Sequence, residues 1–465
     1  MIAPEVSPAL PATPAPRASF REGLAVYLQP RVLIVMLLGF SSGLPLALSG
    51  STLLVWMRES GVDLGTIGLF ALVGTPYTLK FLWAPLTDAL HVPFFTRAFG
   101  RRRGWLVFSQ LLLMVAILLL ALTDPARSPL FVALGALLVA TMSSTQDIVV
   151  DAFRVESLPE SQQAAGMACY VAAYRVGMLV STAGALFLVS AYESTGIARS
   201  AAWMWGYVTM AALVLIGTVT ALAATEPEQS ARAEAATATE TALSRVIHAA
   251  AGAFSEFLTR KDAFAALAFV VLFKFTDAFS GTMTAPFVID LGFSRNDYAA
   301  IVKGVGLAAT LIGGFAGGFV ARRYSLAASL WIGGTLQAVA NLSFSWLALV
   351  GVNEWALAFA ITAENFTSAI GTVIFVAYLS ALCRNPLHTA TQYALLTALA
   401  AVGRTYLSSG AGFVAKATGW PLFFAICVVV AVPSLILLAW LQRRGHFAEL
   451  ENVVVPAKRS ASRDP

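Results

Sequence analysis

Four polar side chains, Gln146, Asp147, Asp151 and Arg175, fall within residues 143–184, a stretch otherwise apolar enough to lie in a lipid bilayer. Lys274 with Asp277, Glu364 with Asn365, and Arg404 stand in similar surroundings further along. Ionisable groups at bilayer depth are costly, so they mark a solute path, a proton relay or an internal ion pair. A guanidinium presents a planar fork of donors that keeps its charge, which suits it to an anionic solute. A carboxylate in a closing cavity gains or loses a proton according to its burial and the cations near it, so solute and proton can bias each other's binding. The sequence shows no constellation of nucleophile, base and orienter, no metal-ligand spacing and no phosphate-cradling glycine loop. The expected chemistry is therefore binding and passage, with no enzymatic step, no metal and no cofactor.

The composition agrees with a lipid-embedded chain, since 58% of the 465 residues are hydrophobic and only 12% are charged, against about a quarter charged in soluble proteins. Cys169, Cys383 and Cys427 are far apart in or beside apolar runs and read as small core residues. His91, His248, His388 and His446 all lie outside the apolar spans, which leaves carboxylates to carry any proton.

Spans of membrane-crossing length, about 20 residues each, are expected at 32–57, 67–88, 104–122, 130–153, 163–190 and 201–224, then at 263–289, 299–321, 326–350, 355–382, 389–415 and 421–442. The fold class is thus an all-α integral membrane protein of 12 transmembrane helices in two six-helix halves, residues 31–224 and 263–444. Residues 1–30 read as a disordered tail with a short interfacial helix, 225–262 as a cytoplasmic linker with an amphipathic helix, and 445–465 as a cytoplasmic tail. Of the 30 Lys and Arg residues, 20 fall on the side of the termini, five on the other side (Arg58, Arg127, Arg199, Arg295 and Lys416) and five within spans. That bias places both termini in the cytoplasm. It also explains the net charge of +5 without a nucleic-acid partner.

Counting about 1.5 Å per helical residue puts Arg175, Arg404, Lys274, Asp277 and Glu364 near the bilayer midplane. Substrate recognition is the functional reading of Arg175 and Arg404, and proton coupling that of Asp277 and Glu364. The competing readings are structural ion pairs, Arg404 with Glu364 and Lys274 with Asp277. Asp147 and Asp151, four apart and on one helix face, come out nearer the cytoplasmic surface, so a direct Asp147–Arg175 bond is not expected. Asp151 is read as part of an inner gate with Asp88, Arg101, Arg102 and Arg154, against the alternative of a carboxylate balancing loop charge. Lys80 and Lys303 are expected to snorkel to opposite surfaces. Ser41, Ser42, Gly43 and Pro45 interrupt the first span and read as a cavity wall or a packing kink. Gln146, Asn365, Tyr174, Tyr378 and Tyr393 could hydrogen-bond to or stack on a solute, although aromatics in helices are more often core.

An internal repeat supports the two halves. Gln163 and Arg175 recur as Gln392 and Arg404, each 229 residues later, and small residues follow each arginine as STAG and SSGAG. The loop FLWAPLTDALHVPFFTRAFGRRRGW resembles, with an insertion, the signature loop of the major facilitator superfamily, and GGFAGGFVARRYS is its weaker copy in the second half. Taken together, SSGLPLALSGSTLLVWM, KFLWAPLTD, GRRRGW, SSTQDIVVDAFR, YRVGMLVS and ENFTSAIGTVIFVAYLSALC resemble the AmpG muropeptide permeases over residues 39–419.

That resemblance implies two halves rocking about a central site lined by helices one, four, seven and ten, with Ser42, Gln146, Asp147, Lys274, Asp277, Glu364 and Asn365 upon it. It implies a bacterial inner-membrane importer of anhydro-muropeptides driven by protons, whose partners are a glycopeptide substrate, protons and lipid; a monomer is expected. Some members of that family carry two further helices. The alternatives are import of another bulky anion such as a coenzyme A ester, as in the related acetyl-CoA transporters, or a non-transporting sensor or enzyme on the same scaffold.

Overall fold

The computed structural model describes residues 26–84, 87, 90–227, 262–382, 389–448 and 450. Among them, twelve helical passes run through one bundle: α1 (Pro30–Glu59), α2 (Leu64–Leu79), α3 (Arg101–Ala121), α4 (Pro129–Ser157), α5 (160–194), α6 (Arg199–Ala223), α7 (Ala263–Asp290), α8 (Arg295–Arg323), α9 (Leu326–Val350), α10 (Glu354–Leu382), α11 (389–418) and α12 (Trp420–Arg443). Nine of these described helices are long and apolar enough to cross a membrane, and α2, α9 and α11 run between them. Helices suit this setting because each satisfies its backbone groups internally. The expected linker helix, the first 25 residues and the last part of the tail lie outside the described residues.

Pro45 sits inside α1, but the break in that helix comes at Ser49 and Gly50, between Pro30–Leu48 and Ser51–Glu59. α3 begins at Arg101, three residues before the expected span, because Glu226 accepts the otherwise free N–H groups of Arg102 and Arg103 at 2.7 and 3.0 Å.

Small residues set the tightest crossings. A Cβ on Gly43 would lie 2.0 Å from the Tyr174 carbonyl oxygen, and one on Gly313 would lie 2.3 Å from that of Phe366. α1 therefore meets α5, and α8 meets α10, backbone against backbone. These contacts carry Tyr174, Arg175, Glu364 and Asn365 to their places.

The apolar core divides by level. At the end carrying the chain termini, the near end, each half has its own cluster, one around Val35, Val149 and Phe153 and one around Phe269, Ile374 and Tyr378. At the far end a single cluster joins both halves, with Trp56, Ile67 and Trp203 packed in continuity with Phe287, Tyr298 and Phe424. The halves are thus sealed together at the far end and separately cored at the near end.

Candidate functional site

The second half holds a polar cluster built on α7 and α10. Lys274 Nζ donates to Asp277 Oδ2 at 3.0 Å and to Thr372 Oγ1 at 2.8 Å, and Ser368 Oγ donates to Asp277 Oδ1 at 2.7 Å. Their spacing of three places the lysine and aspartate on one face, and α10 supplies the hydroxyls opposite. Glu364 is half-buried beside them and accepts from Asn365 Nδ2 at 2.8 Å, while Thr310 donates to Asn365 Oδ1 at 3.2 Å. The Lys303 ammonium lies 5.4 Å from the centre of the buried Tyr298 ring, on the far-end side of it, and faces Glu364, held by cation–π attraction in a π-helical segment, Tyr298–Val305.

Arg175 and Arg404 are exposed, and neither makes an ion pair or hydrogen bond through its guanidinium among the described residues. The Arg404–Glu364 pair offered as the competing reading is not formed. Arg175 from α5 lines a cavity of about 410 Å³ with Thr310 and Phe315 of α8 and Asn365, Ser368 and Thr372 of α10. Arg404 faces Tyr174 across the boundary between the halves.

In the first half, Ser42 accepts from Gln146 Nε2 at 3.4 Å, and Asp147 is buried beside them. Lys80 faces Asp147. Ser41 turns the other way, into the helix packing: a Cβ on Gly217 would meet Ser41 Oγ at 2.3 Å and Gln110 Nε2 at 2.6 Å. Tyr378 is fully buried, its hydroxyl 3.2 Å from His446 Nε2, and belongs to the core. Asp88 and the side chain of Tyr393 lie outside the described residues.

The described contacts of Arg101, Arg102, Asp151 and Arg154, expected to form an inner gate, lie within the first half. Arg102 holds Glu156 through Nε at 2.9 Å and Nη2 at 2.5 Å, and Arg101 reaches the same carboxylate at 3.3 Å. Arg154 lies 3.6 Å from Asp151 on its own helix, whose carboxylate is 48% exposed. The sequence reading missed Glu156 and Glu226, though both stand close to the basic residues of the same end.

It also missed the far end altogether. Arg295 at the start of α8 donates to Glu59 of α1 at 2.6 Å and to Glu193 of α5 at 2.9 Å, with its guanidinium 5.6 Å from the centre of the Trp203 ring. Trp203 Nε1 donates to the other Glu59 oxygen at 3.1 Å. Arg58 pairs with Asp290, which also accepts from Trp420 Nε1 at 3.0 Å. Lys416 reaches Asp63 at 3.4 Å. The available signal was positional: Glu59, Glu193 and Asp290 close spans on the side that carries only five Lys and Arg.

The sequence matches the Major Facilitator Superfamily over residues 35–406. It is 39% identical to the anhydromuropeptide permease of Escherichia coli K12, over 89% of this chain and 80% of the relative. It is 34% identical to a putative transporter, AmpG 4, of Rickettsia felis, over 89% of this chain and 97% of the relative. Among solved structures, a nucleoside transporter superposes with a TM-score of 0.67 at 13% identity, covering 89% of this chain and 99% of that one.

Proposed function

The chain belongs to the Major Facilitator Superfamily and, within it, to the AmpG permeases, a membership that makes it a multi-pass membrane transporter and not an enzyme, and from this premise we propose that it imports anhydro-muropeptides across the bacterial inner membrane in exchange for the energy of a proton gradient. The observation that carries the reading is the pair Arg175 and Arg404, repeat-related guanidiniums between the halves that meet no anion among the described residues. Exposed to the space between the halves, each presents a planar fork of donors that keeps its charge and suits a solute that brings its own carboxylates. Asn365, Ser368 and Thr372 in the same cavity offer donors and acceptors for sugar hydroxyls.

With both termini in the cytoplasm, the sealed far end faces the periplasm and the separately cored near end faces the cytoplasm. Solute enters when the far end opens and leaves when it closes. Glu364 is the coupling carboxylate of the second half: it stands beside Asp277, Lys274 and Lys303 and next to Asn365 of the cavity wall, where its access to water changes as the halves move. Asp277, with both oxygens engaged, orients Lys274.

Proteoliposomes given an inward proton gradient test this directly with labelled disaccharide, disaccharide-peptide and peptide alone. Gradient-driven accumulation of the two sugar-containing solutes is expected. Accumulation of a coenzyme A ester in their place transfers the chain to the other bulky-anion reading, and failure to accumulate any solute refutes coupled import.

A further inference from the structure

The first half contains a buried acid that the coupling scheme above leaves unused. Asp147 is 7% exposed, and its Oδ1 has no hydrogen-bond partner among the described residues. Three oxygens around it share that condition: Ser143 Oγ and Gln146 Oε1 on α4, and the Tyr77 hydroxyl on α2. Residues 143, 146 and 147 lie on one face of α4 by their spacing, and Tyr77 faces both Ser143 and Asp147.

A polar atom buried without a protein partner is unfavourable, by about 1–3 kcal/mol, so a carboxylate set among several of them is a candidate to change its protonation state. The groups that face Asp147 are Ser42 on α1, Tyr77 and Lys80 on α2, Asp151 on its own helix, and Tyr170 and Tyr174 on α5. Lys80 forms no ion pair with it among the described residues, yet its positive charge opposes a metal cation at the same carboxylate. A proton meets the requirement without that conflict. Added to Oδ1, it makes the carboxyl a donor as well as an acceptor, and the neighbouring Gln146 Oε1, an oxygen that only accepts, is the kind of group that a protonated carboxyl can pair with and a carboxylate cannot.

We propose that Asp147 is a second proton-binding group of the transport cycle, contributed by the first half independently of Glu364. The proton comes from water admitted between the halves on the open side, forms an O–H bond at Oδ1, and returns to water when the opposite side opens. The inference rests on the proton-linked reading of import.

The test is infrared difference spectroscopy of the full chain in lipid vesicles between acidic and alkaline buffer, alongside proton-to-substrate counts in the uptake assay. The wild type should show a protonated-carboxyl carbonyl band that Asp147→Asn removes, Asp147→Glu restores at a new position, and Glu364→Gln leaves in place. Asp147→Asn should also lower the proton count per substrate by one. A spectrum with every carboxyl band intact in Asp147→Asn overturns the inference even where the wild type accumulates substrate, whereas a wild type indifferent to the gradient fails the import reading instead. Tyr77→Phe answers the same question with the acid in place: a shifted band supports the assignment, and an unshifted one counts against it.

Discussion

Arg295 and Glu59 join the two halves of the bundle at 2.6 Å, although 236 residues separate them in the chain. The arginine side chain is 6% exposed and the glutamate 12%, and Glu193 and Trp203 close round the pair. Truncating one member strands the other's charge in a buried place, at a cost of about 3–5 kcal/mol. Arg295→Ala should therefore shift the population toward a far-end-open state. Spin labels at the exposed positions Arg127 and Val352, one on each half at that end, should report a longer distance in the variant. An unchanged distance distribution would remove Arg295 from the closure.

Arg175 and Arg404 should each show a loss of affinity when removed. A charge-assisted hydrogen bond is worth about 1.5–3 kcal/mol, so Arg175→Ala and Arg404→Ala should each raise the KM for substrate by roughly 10- to 100-fold. Lysine at either position should restore only part, since it lacks the planar fork. Equal KM values in the wild type and both alanine variants would show that neither guanidinium meets the solute.

Lys274 and Asp277 should behave as one unit. Because Asp277 has Lys274 on one oxygen and Ser368 on the other, Lys274→Ala leaves a carboxylate without its cation. The double variant, in which neither charge remains, should unfold at a higher temperature than Lys274→Ala alone. Strictly additive effects would deny the coupling.

Asp63 provides a pH test outside the membrane. Its carboxylate caps α2, accepting from the Thr66 hydroxyl at 2.5 Å and from the Gly65 and Thr66 N–H groups at 3.1 and 3.3 Å. The Thr66 hydroxyl bond is the main cause that holds the carboxyl below its ordinary value of 3.8. A depressed folded-state value means that the stabilisation is present above 3.8 and is lost as pH falls through the lower folded value. Thermal unfolding of Asp63→Asn should thus differ from wild type near neutral pH and converge with it in acid. A constant difference across that range would contradict the assignment.

How much could be read in advance depended on distance along the chain. The Lys274–Asp277 pair was legible because three residues of helix fix two side chains on one face. The membership of Arg175 and Arg404 in a repeat was legible as spacing, and their lack of a partner among the described residues was not. The direction of Lys303 toward the outer end was legible from depth, while the buried Tyr298 ring under its ammonium and the π-helical segment Tyr298–Val305 that carries both were not. The basic cluster of residues 101–103 was correctly noticed, but Glu156 and Glu226 reach it through helix ends that no local spacing defines.

The sequence by itself determined the solvent, the number of passes and the family. In a bilayer every backbone group must be satisfied within its own helix, so the length of each apolar run is enough to identify a pass. Tertiary structure alone decided which charge meets which. Arg295 with Glu59, Arg58 with Asp290 and Lys80 facing Asp147 depend on how each helix rotates and slides against its neighbours. Those choices are set by close-packed small residues such as Gly43 and Gly313, whose contacts lie on other helices and leave no period in the chain.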